Sequence, residues 1–531
     1  MAWQEVPFRF MSFRERVPDR CRFWVYILFL AAFQFSNGMY FTAMSQMQGT
    51  HSITMDDVKM MSHAALIGLT IYFPLAFRLK FRFTNRTCLL VAATGLAICN
   101  LIAPYVDNPL PLVLLGFVAG FFRLFGTFEC LSSILPKIAP THNYTVFLSF
   151  VFFVVLGVIH VFDALAVQVI YYYDWQHLHW LAIGLLLLVI LIAGIMMRPF
   201  RPMPKMPLYG IDWLGMILWS IFILSLIFVA QYGYQLDWLH SPYIRVGLGC
   251  ASISLAFNIG RMTYIRHPFL EAAAFRVNNL TVLLIAFLFL GILLASKNTL
   301  QNTFTGAVLH WDGFNTRILK WFEFLGVFLG AVFSWCTLVR LKWPRKLLTF
   351  LGFSMILVYV ASMYFLVSPN TAIERFYLPL ICCNFGHVAI FIALTVYIQA
   401  TAPFNNYFQI LCILGFVRTG IASPIGDAIY RSGTTGLMNK HLAEIGNHLD
   451  IGLQSSMNNL EFIGTEAMIS TLQELYGYTF IFGTVVLILI AAYHFRRNLT
   501  NPIPTLKSLY LGTSKNIELK KRSHKEAIRT V

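Results

Sequence analysis

Long apolar blocks separated by short polar stretches recur along most of the chain. The segments from Phe147 to Val158 and from Leu181 to Met197 are two examples. A helix needs about 20 mostly apolar residues to cross the hydrocarbon core of a bilayer. In lipid, only helices and closed barrels satisfy the backbone polar groups, and barrel strands would alternate in polarity over about 10 residues. Because these blocks do not alternate, the pattern predicts an all-α integral membrane protein.

The apolar blocks predict fourteen transmembrane spans. Their expected limits are 23–46, 60–79, 87–106, 110–135, 144–170, 177–197, 211–231, 242–263, 277–297, 318–339, 346–367, 376–400, 407–430 and 476–495. The composition agrees, since 58% of the residues are hydrophobic and only 12% are charged, against roughly 25% charged residues in soluble domains. A soluble chain of this composition would aggregate, so the protein is not expected to be soluble.

Basic residues gather on alternate connections between the predicted spans. Of the 39 lysine and arginine residues, 29 fall on the side of the N-terminus, whereas the opposite connections carry acids such as Asp56, Asp107 and Asp237. The positive-inside rule therefore predicts that both termini are cytoplasmic. The basic residues on the predicted cytoplasmic side then account for the net charge of +16, and no nucleic-acid partner is expected. The basic tail, 496–531, is expected to be solvated or to touch anionic lipid headgroups.

The sequence predicts no resident cofactor and no metal. The nine cysteines are scattered, mostly inside apolar blocks, without a C-x-x-C pair, which is typical of packing residues. No phosphate-binding G-x-x-x-x-G-K-[ST] loop is present. The first 22 residues hold five arginines but no small-residue cleavage site, so the segment from Trp24 onward is expected to be a retained first span.

Two halves of the chain resemble each other at a nearly constant offset. Gly68 and Arg78 recur as Gly330 and Arg340, 262 positions on. Two further matches are Phe125-Gly126 with Phe385-Gly386 and the segment 156–160 with 414–418. The predicted organisation is a cytoplasmic N-terminus (1–22), a six-helix bundle (23–197), two inserted helices (198–276), a second six-helix bundle (277–495, with an outer loop at 431–475) and a cytoplasmic tail (496–531). Parallel halves of six helices are the layout of the major facilitator superfamily.

Short motifs around the inserted helices are similar to those of a known family. The segment 209–215, Tyr-Gly-Ile-Asp-Trp-Leu-Gly, opens the seventh span as a D-W-x-G motif does, and Asp237-Trp238 closes it. His267-Pro268-Phe269-Leu270 and the long loop before the last span add to the likeness. The chain thus resembles the fourteen-helix drug:proton antiporters of the EmrB/QacA type. The resemblance implies proton-coupled multidrug efflux across the inner membrane, by alternating access, of small amphipathic or drug-like molecules.

The loop after the second span departs from that family. Phe77 stands where the family has an acid and Lys80 where it has a glycine, and the Gly-Pro motif of the fifth span is missing. These departures favour a divergent member with its own substrate. The residues expected at the cytoplasmic gate loops are Arg78, Lys80, Arg82, Arg340 and Lys342.

Charged residues within spans cost about 2.5–3.5 kcal/mol each on insertion scales, so each of them needs a reason. The candidates for proton coupling are Asp163, Glu129, Asp427, Glu323 and His160. Desolvation favours the protonated form of a carboxylate, and a nearby cation opposes that effect. Asp163 is the leading candidate because its only basic neighbour on its own helix is His160, which shares its face at a spacing of three.

Other polar residues within the spans are candidates for lining a substrate cavity. They are Arg123, Arg418, Gln34, Asn37 and Asn298. Arg123 lies roughly where the resembled family has a functional arginine, and Asn298 follows Lys297 in the ninth span. The alternatives are a buried ion pair of Arg123 with Glu129, and helix–helix hydrogen bonds for the amides.

The long segment 431–475 stands apart from the other, shorter outer connections. It contains helix-compatible stretches, and Leu442, Ile445 and Leu449 are spaced to form an apolar stripe. The stripe is expected to pack on the protein's own outer surface or on a partner. In the resembled family such a partner is a periplasmic adaptor, which leads to an outer-membrane channel.

Two other function classes remain open. A membrane-embedded transferase would use His160 or His310 as its base, and a receptor or channel is a further alternative. The internal repeat favours transport over a transferase, because a single active site does not need two similar halves. A transporter that imports or exports one specific metabolite is a further alternative. The protein is therefore predicted to be no enzyme but a secondary transporter driven by a proton gradient.

Overall fold

The structure, a computed structural model, describes residues 11–35, 47, 53–140, 144–201, 204–277, 279–403, 406–448 and 457–498. These residues form long helices, which we number α1 (Asp19–Phe35), α2 (Met55–Arg82), α3 (Asn85–Tyr105), α4 (Pro109–Ile138), α5 (Tyr144–Tyr172), α6 (Gln176–Met196), α7 (Trp213–Tyr232), α8 (Pro242–Tyr264), α9 (Leu280–Val308), α10 (Gly313–Arg340), α11 (Arg345–Leu366), α12 (Ile373–Thr401), α13 (Tyr407–Ile445) and α14 (Phe462–Tyr493). Within the described part of the chain, extended pairing is limited to one isolated bridge between Phe13 and Met197.

Each predicted span corresponds to one of these helices. Thirteen of the helices, α2 to α14, are long and apolar enough to cross a membrane, and α1 is described over 17 residues. The main difference lies at 431–475, which is helical wherever it is described: the helix of α13 continues to His448, and that of α14 begins at Met457. Leu437 and Met468 on these extensions pack against a buried apolar cluster. This burial stabilises helix beyond the hydrophobic spans.

Side-chain caps fix where two of the helices begin. The Thr54 side chain accepts a hydrogen bond from the backbone N–H of Asp57 (3.3 Å), and Asp57 Oδ2 accepts one from the backbone of Thr54 (2.8 Å), which is a complete capping box for α2. Asp212 Oδ1 accepts a hydrogen bond from the backbone of Gly215 (2.9 Å) at the start of α7. The D-W-x-G motif therefore caps the first inserted helix.

The internal repeat is visible in the packing of the helices. Gly68 of α2 lies against the backbone of Phe117 in α4, and Gly330 of α10 lies against the backbone of Phe385 in α12. At both positions a Cβ atom would collide with the facing backbone. The second and fourth helices of each half thus approach each other through equivalent glycines.

The two halves meet through two corresponding helix pairs. Gly157 of α5 lies against Phe324 of α10, and Gly415 of α13 lies against Thr70 of α2. Gly157 and Gly415 are equivalent under the repeat, 258 positions apart. The interface between the halves is therefore built from α5 with α10 and from α2 with α13.

The inserted helices, α7 and α8, contact each other, and α7 also contacts α2 and α13. Arg261 Nη2 of α8 lies 2.5 Å from Asp212 Oδ1, and the backbone of Phe269 donates to Asp212 Oδ2 (3.2 Å). Partial burial alone would raise the pKa of Asp212, but the hydrogen bonds from Arg261 and the backbone outweigh it and hold the pKa below its usual value. Helix α7 packs on both α2 and α13, where Trp219 stacks on Phe416 with ring centroids 5.8 Å apart.

The contacts group Met1–Ile481 into one compact unit and Phe482–Val531 into another. All residues discussed below lie in the first unit, apart from one labelling position in the tail.

Candidate functional site

A cluster of buried charges lies where α5 meets α10. Glu323 is at its centre, with a side chain only 2% exposed. His160 Nδ1 approaches Glu323 Oε2 to 2.9 Å, Lys297 Nζ lies 3.1 Å from Oε1, and Lys320 Nζ lies 3.5 Å from Oε2. We call His160, Asp163, Lys297, Lys320 and Glu323 the interface cluster.

Helix periodicity explains how these side chains come together. His160 and Asp163 are three residues apart on α5, and Lys320 and Glu323 are three apart on α10, so each pair occupies one face of its helix. The two faces meet because α5 and α10 pack against each other. Asp163 lies within electrostatic reach of Lys320, His160 and Glu323. Its Oδ1 atom is buried and has no hydrogen-bond partner among the described residues.

Lys297 connects the interface cluster to two further helices. It lies in a π-helical stretch of α9, Lys297–Gln301, and its ammonium also donates to Asn384 Oδ1 of α12 (3.3 Å). The interface cluster therefore joins α5 of the first half to α9, α10 and α12 of the second. Two carboxylates face two ammonium groups and one imidazole. Protonation of either carboxylate would change the charge balance across the interface.

Arg418 occupies a second polar position, further along α12. It lies in a π-helical stretch of α13, Phe416–Ala422, and its guanidinium stacks 4.6 Å from the ring centroid of Phe391. The Phe391 ring also contacts His387 (5.9 Å) and, across the interface, Phe152 of α5 (4.6 Å). The predicted cavity residue Arg418 is thus close to the contact between the halves.

Glu129, a predicted coupling residue, is paired within the first half. Lys80 Nζ of α2 lies 3.4 Å from Glu129 Oε2 of α4, and both side chains are buried. Lys80 also donates to Ser132. Arg123 is buried on the same helix as Glu129, at 4% exposure. A predicted gate residue and a predicted coupling residue therefore form one ion pair, away from the interface cluster.

Asp427, another predicted coupling residue, bonds across helices α9 and α13. Its Oδ1 accepts a hydrogen bond from Thr299 Oγ1 (2.9 Å), and its Oδ2 lies 3.7 Å from His63 Nε2 of α2. Its side chain is buried. Asp427 is thus at the α2–α13 contact rather than in the interface cluster.

The amide candidates do not come together. Gln34 Nε2 of α1 donates to Thr127 Oγ1 of α4 (2.9 Å), which is a helix–helix hydrogen bond. Asn298 is exposed, and its backbone carbonyl accepts from Asn302 Nδ2 (2.7 Å). Asn37 lies outside the described residues.

The remaining candidates lie at helix ends and in turns. Arg78 packs against Gly210, just before the inserted helices, and Arg82 and Lys342 are exposed. Arg340 is exposed and stacks on Trp335 (4.6 Å). His310, the alternative base for a transferase, is exposed in a turn with φ at 50°. It is not part of the interface cluster.

A second set of charges joins the predicted outer ends of α2, α7 and α13. Asp56 of α2 is fully buried and accepts hydrogen bonds from both terminal nitrogens of Arg431 (Nη2 to Oδ2, 2.8 Å) and from Gln231 of α7 (2.9 Å). Gln235 also donates to Asp56, and Tyr232 donates to Asp57. We call Asp56, Gln231, Gln235 and Arg431 the outer clamp.

Sequence reasoning missed the outer clamp and two of the five residues of the interface cluster, Lys297 and Lys320. Asp56 was expected only as one of the acids on the outer side, and Arg431 lies 375 positions away from it, so no local pattern links them. Lys320 could have been found, because the base-x-x-acid spacing of His160 and Asp163 recurs at Lys320 and Glu323.

Comparison with known proteins gives similarity at the level of structure only. No family model and no curated protein matches this chain. Its fold is similar to that of a mutant of the nucleoside transporter NupG, with a TM-score of 0.53 and 11% identity over 88% of this chain and 98% of that one. It is also similar to tetrameric PepTSo2 (TM-score 0.55, 12% identity, 92% and 99% covered). A third similar structure is described as giving insights into substrate recognition in proton dependent oligopeptide transporters (0.54, 13%, 88% and 97%).

These similarities confirm the predicted fold class: the chain is all-α and has the major-facilitator-type membrane fold. At 11–13% identity they concern the fold alone.

Proposed function

We propose that the protein is a secondary active transporter that couples solute movement to a proton gradient by alternating access. The observation that carries this proposal is the interface cluster, in which buried carboxylates of α5 and α10 face basic groups from both halves. The fold supports it, since the similar structures are described as transporters of nucleosides or peptides. The proton gradient supplies the energy, and no cofactor is required.

The coupling follows from what happens when the halves separate. When α5 packs against α10, the charge of Glu323 is balanced by Lys297 and Lys320, and also by His160 when that imidazole is protonated. Separation removes His160 and Asp163 from this group and admits water, because both residues belong to the other half. A proton on one carboxylate changes the energy of the closed interface far more than that of the hydrated one. Proton binding therefore shifts the balance between the two arrangements.

Proton-flux measurements on purified protein test the proposal. The protein is reconstituted into vesicles that enclose a pH-sensitive dye, and uridine, dialanine, ethidium and a carboxylic acid such as 2-naphthoate are added in turn under a defined pH gradient. We expect at least one compound to move protons through the wild type but not through Glu323→Gln or Asp163→Asn. Glu374→Gln, at an exposed acid, is the matched control and should behave like the wild type. Solute flux that ignores the gradient, or full coupling in Glu323→Gln, would contradict the proposal.

The proposal extends to the direction of transport, the membrane in which the protein lies and the partner that it contacts. The motifs shared with fourteen-helix drug antiporters favour proton-driven efflux across the inner membrane. The helical extensions of α13 and α14 would contact a periplasmic adaptor that leads to an outer-membrane channel. His441 Nε2 of one extension lies 2.9 Å from Glu474 Oε2 of the other, so they form one joined surface. Efflux of ethidium from whole cells, with and without a co-expressed adaptor, measures this part separately.

A specific metabolite is the second candidate substrate class. The charged residues at the contact between the halves favour it over a general hydrophobic drug. A cavity for apolar drugs would gain nothing from buried guanidinium and ammonium groups, each of which is costly to insert.

A further inference from the structure

Cations outnumber carboxylates when Arg418 is counted together with the interface cluster. Glu323 and Asp163 balance Lys297 and Lys320 in number. Arg418 adds a further positive charge. Among the residues that the structure describes, no carboxylate pairs with its guanidinium, which contacts the ring of Phe391 instead. A half-buried guanidinium without an anion is costly, so an anionic ligand would stabilise it.

One face of α12 connects this guanidinium to the interface cluster. Asn384, His387 and Phe391 follow one another at spacings of three and four, and therefore share a face. Asn384 contacts Lys297 at one end of this face, and Phe391 contacts Arg418 at the other. The two ends are about 10 Å apart along the helix, at 1.5 Å per residue. His387 lies between them, within electrostatic reach of both cations.

The backbone is irregular at both cationic ends. Lys297 and Arg418 each lie in a π-helical stretch, one in α9 and one in α13, and these two helices pack against each other. Such π-helical turns interrupt regular helical hydrogen bonding and are frequent at functional sites. Two of them on neighbouring helices, each carrying a basic side chain, are a second and independent feature of the same region.

Aromatic side chains surround the end of this face that carries Arg418. Phe391 packs against Phe152 of the first half (4.6 Å) and against Phe287 of α9 (5.4 Å). A carboxylate can accept two parallel hydrogen bonds from a guanidinium, while an apolar or aromatic body can pack on the neighbouring rings. The region therefore combines an anion-binding group with an apolar surface.

We propose that the transported substrate is an amphipathic organic anion whose carboxylate binds Arg418 and whose apolar body packs on Phe391 and Phe152. The inference rests on the proposed transport function and names its substrate class. The bound carboxylate would lie about 10 Å from Lys297, near enough in a low-dielectric interior for its charge to act through space on the ion pair of Lys297 with Glu323. Substrate binding would then influence the same carboxylate that carries the proton.

Three compounds with one aromatic body and different charge test this inference. They are 2-naphthoate (anion), 2-naphthamide (neutral) and 2-naphthylmethylammonium (cation), and binding is measured as thermal stabilisation of the purified protein. We expect the anion to stabilise the wild type, and the neutral and cationic compounds to have no comparable effect. Arg418→Gln should weaken anion binding by about tenfold or more, and Arg418→Lys should restore part of it.

The control variant removes a guanidinium–aromatic contact at another place in the protein. Arg317→Gln removes a guanidinium that stacks on Phe314 (4.5 Å) near the start of α10, and it should bind the anion as the wild type does. Equal stabilisation by all three compounds, no stabilisation by the anion, or unchanged binding in Arg418→Gln would overturn the inference.

Proton flux in vesicles separates this inference from the proposed function. If the amide or the ammonium compound moves protons and the anion does not, the transporter stands and the substrate class is wrong. If the anion binds through Arg418 but drives no proton flux in any gradient, the site stands and proton coupling is wrong.

Discussion

Glu323 and Glu129 are buried to a similar degree, but their partners come from different places. The partners of Glu323 lie on α5, α9 and α10, and so belong to both halves. Glu129 pairs with Lys80, which belongs to the same half. A movement of one half relative to the other therefore changes the surroundings of Glu323 and leaves those of Glu129 intact. We therefore expect Glu323 to affect coupling and Glu129 to affect stability.

Glu129→Gln should lower stability strongly, because it leaves the ammonium of Lys80 buried without a counter-ion. The expected loss is about 3–5 kcal/mol, as for other broken buried pairs, measured as a lower unfolding midpoint in detergent. The double variant Lys80→Met/Glu129→Leu removes both charges and should recover most of the loss. An unchanged midpoint in Glu129→Gln would show that water already reaches this pair.

At the residue scale, the sequence predicted which side chains matter better than it predicted their partners. His160, Asp163 and Glu323 were expected because charges are rare in apolar spans. One alternative for Arg123 was an ion pair with Glu129 of the same helix, whereas the structure pairs Glu129 with Lys80 of α2. Partners on other helices depend on packing angles and on the depth of each helix. A single sequence does not contain either of these.

At the scale of elements, the inserted helix α7 is part of the contact between the halves. Gln231 and Gln235, at and just beyond the end of α7, and Arg431 of α13 all donate to Asp56 of α2. The outer clamp therefore joins the first half, the insertion and the second half through one buried carboxylate. We expect it to keep the predicted outer ends of α2 and α13 together in this arrangement.

Arg431→Gln should loosen the outer clamp, because amide donors alone do not balance the buried charge of Asp56. Spin labels at Met55→Cys and Ala443→Cys, two exposed positions on α2 and α13, report the distance between the outer ends. The exposed Cys21 and Cys250 are first changed to serine. We expect a longer distance to become populated in Arg431→Gln. Lys440→Gln, on the same helix in an exposed pair with Glu444, should leave the distance unchanged, and the same result for both variants would exclude a clamp.

Asp212 gives a prediction about acid sensitivity at the start of the inserted pair. Burial alone would raise its pKa, but the hydrogen bond from Arg261 and those from the backbone hold the pKa below the usual value. A carboxyl with a lowered folded-state pKa adds stability above its unfolded pKa of about 3.9, and this stability is lost as the pH falls through the folded value. Unfolding midpoints measured from neutral pH to below pH 4 should fall less steeply for Asp212→Asn than for the wild type. Parallel curves would show that the Arg261 contact contributes nothing.

At the scale of the whole molecule, the sequence was most informative where the signal repeats. Fourteen apolar blocks predicted the helices, and the offset near 260 positions predicted equivalent packing at Gly68 and Gly330. The segment 431–475 was harder to predict, because its polar composition resembles a loop. Its described parts are helical because residues such as Leu437 and Met468 pack on a cluster built from distant parts of the chain.

The last prediction concerns the orientation of the chain in the membrane. If α1 to α14 all cross the bilayer, both termini lie on one side, because the number of crossings is even. The distribution of basic residues predicts that this side is cytoplasmic. Of the 39 lysine and arginine residues, 29 are expected on it, and six are expected on the other side: Lys59, Arg245, Arg317, Arg375, Arg431 and Lys440. Single cysteines at Ala443 and at Ser508, in a background with serine at Cys21 and Cys250, can be labelled with a membrane-impermeant maleimide. We expect Ala443→Cys to react in intact cells, and Ser508→Cys to react only after the membrane is opened. Labelling of both Ala443→Cys and Ser508→Cys in intact cells would mean that α14, which lies between these positions, does not cross the membrane. Labelling of Ser508→Cys alone would mean that the chain has the opposite orientation.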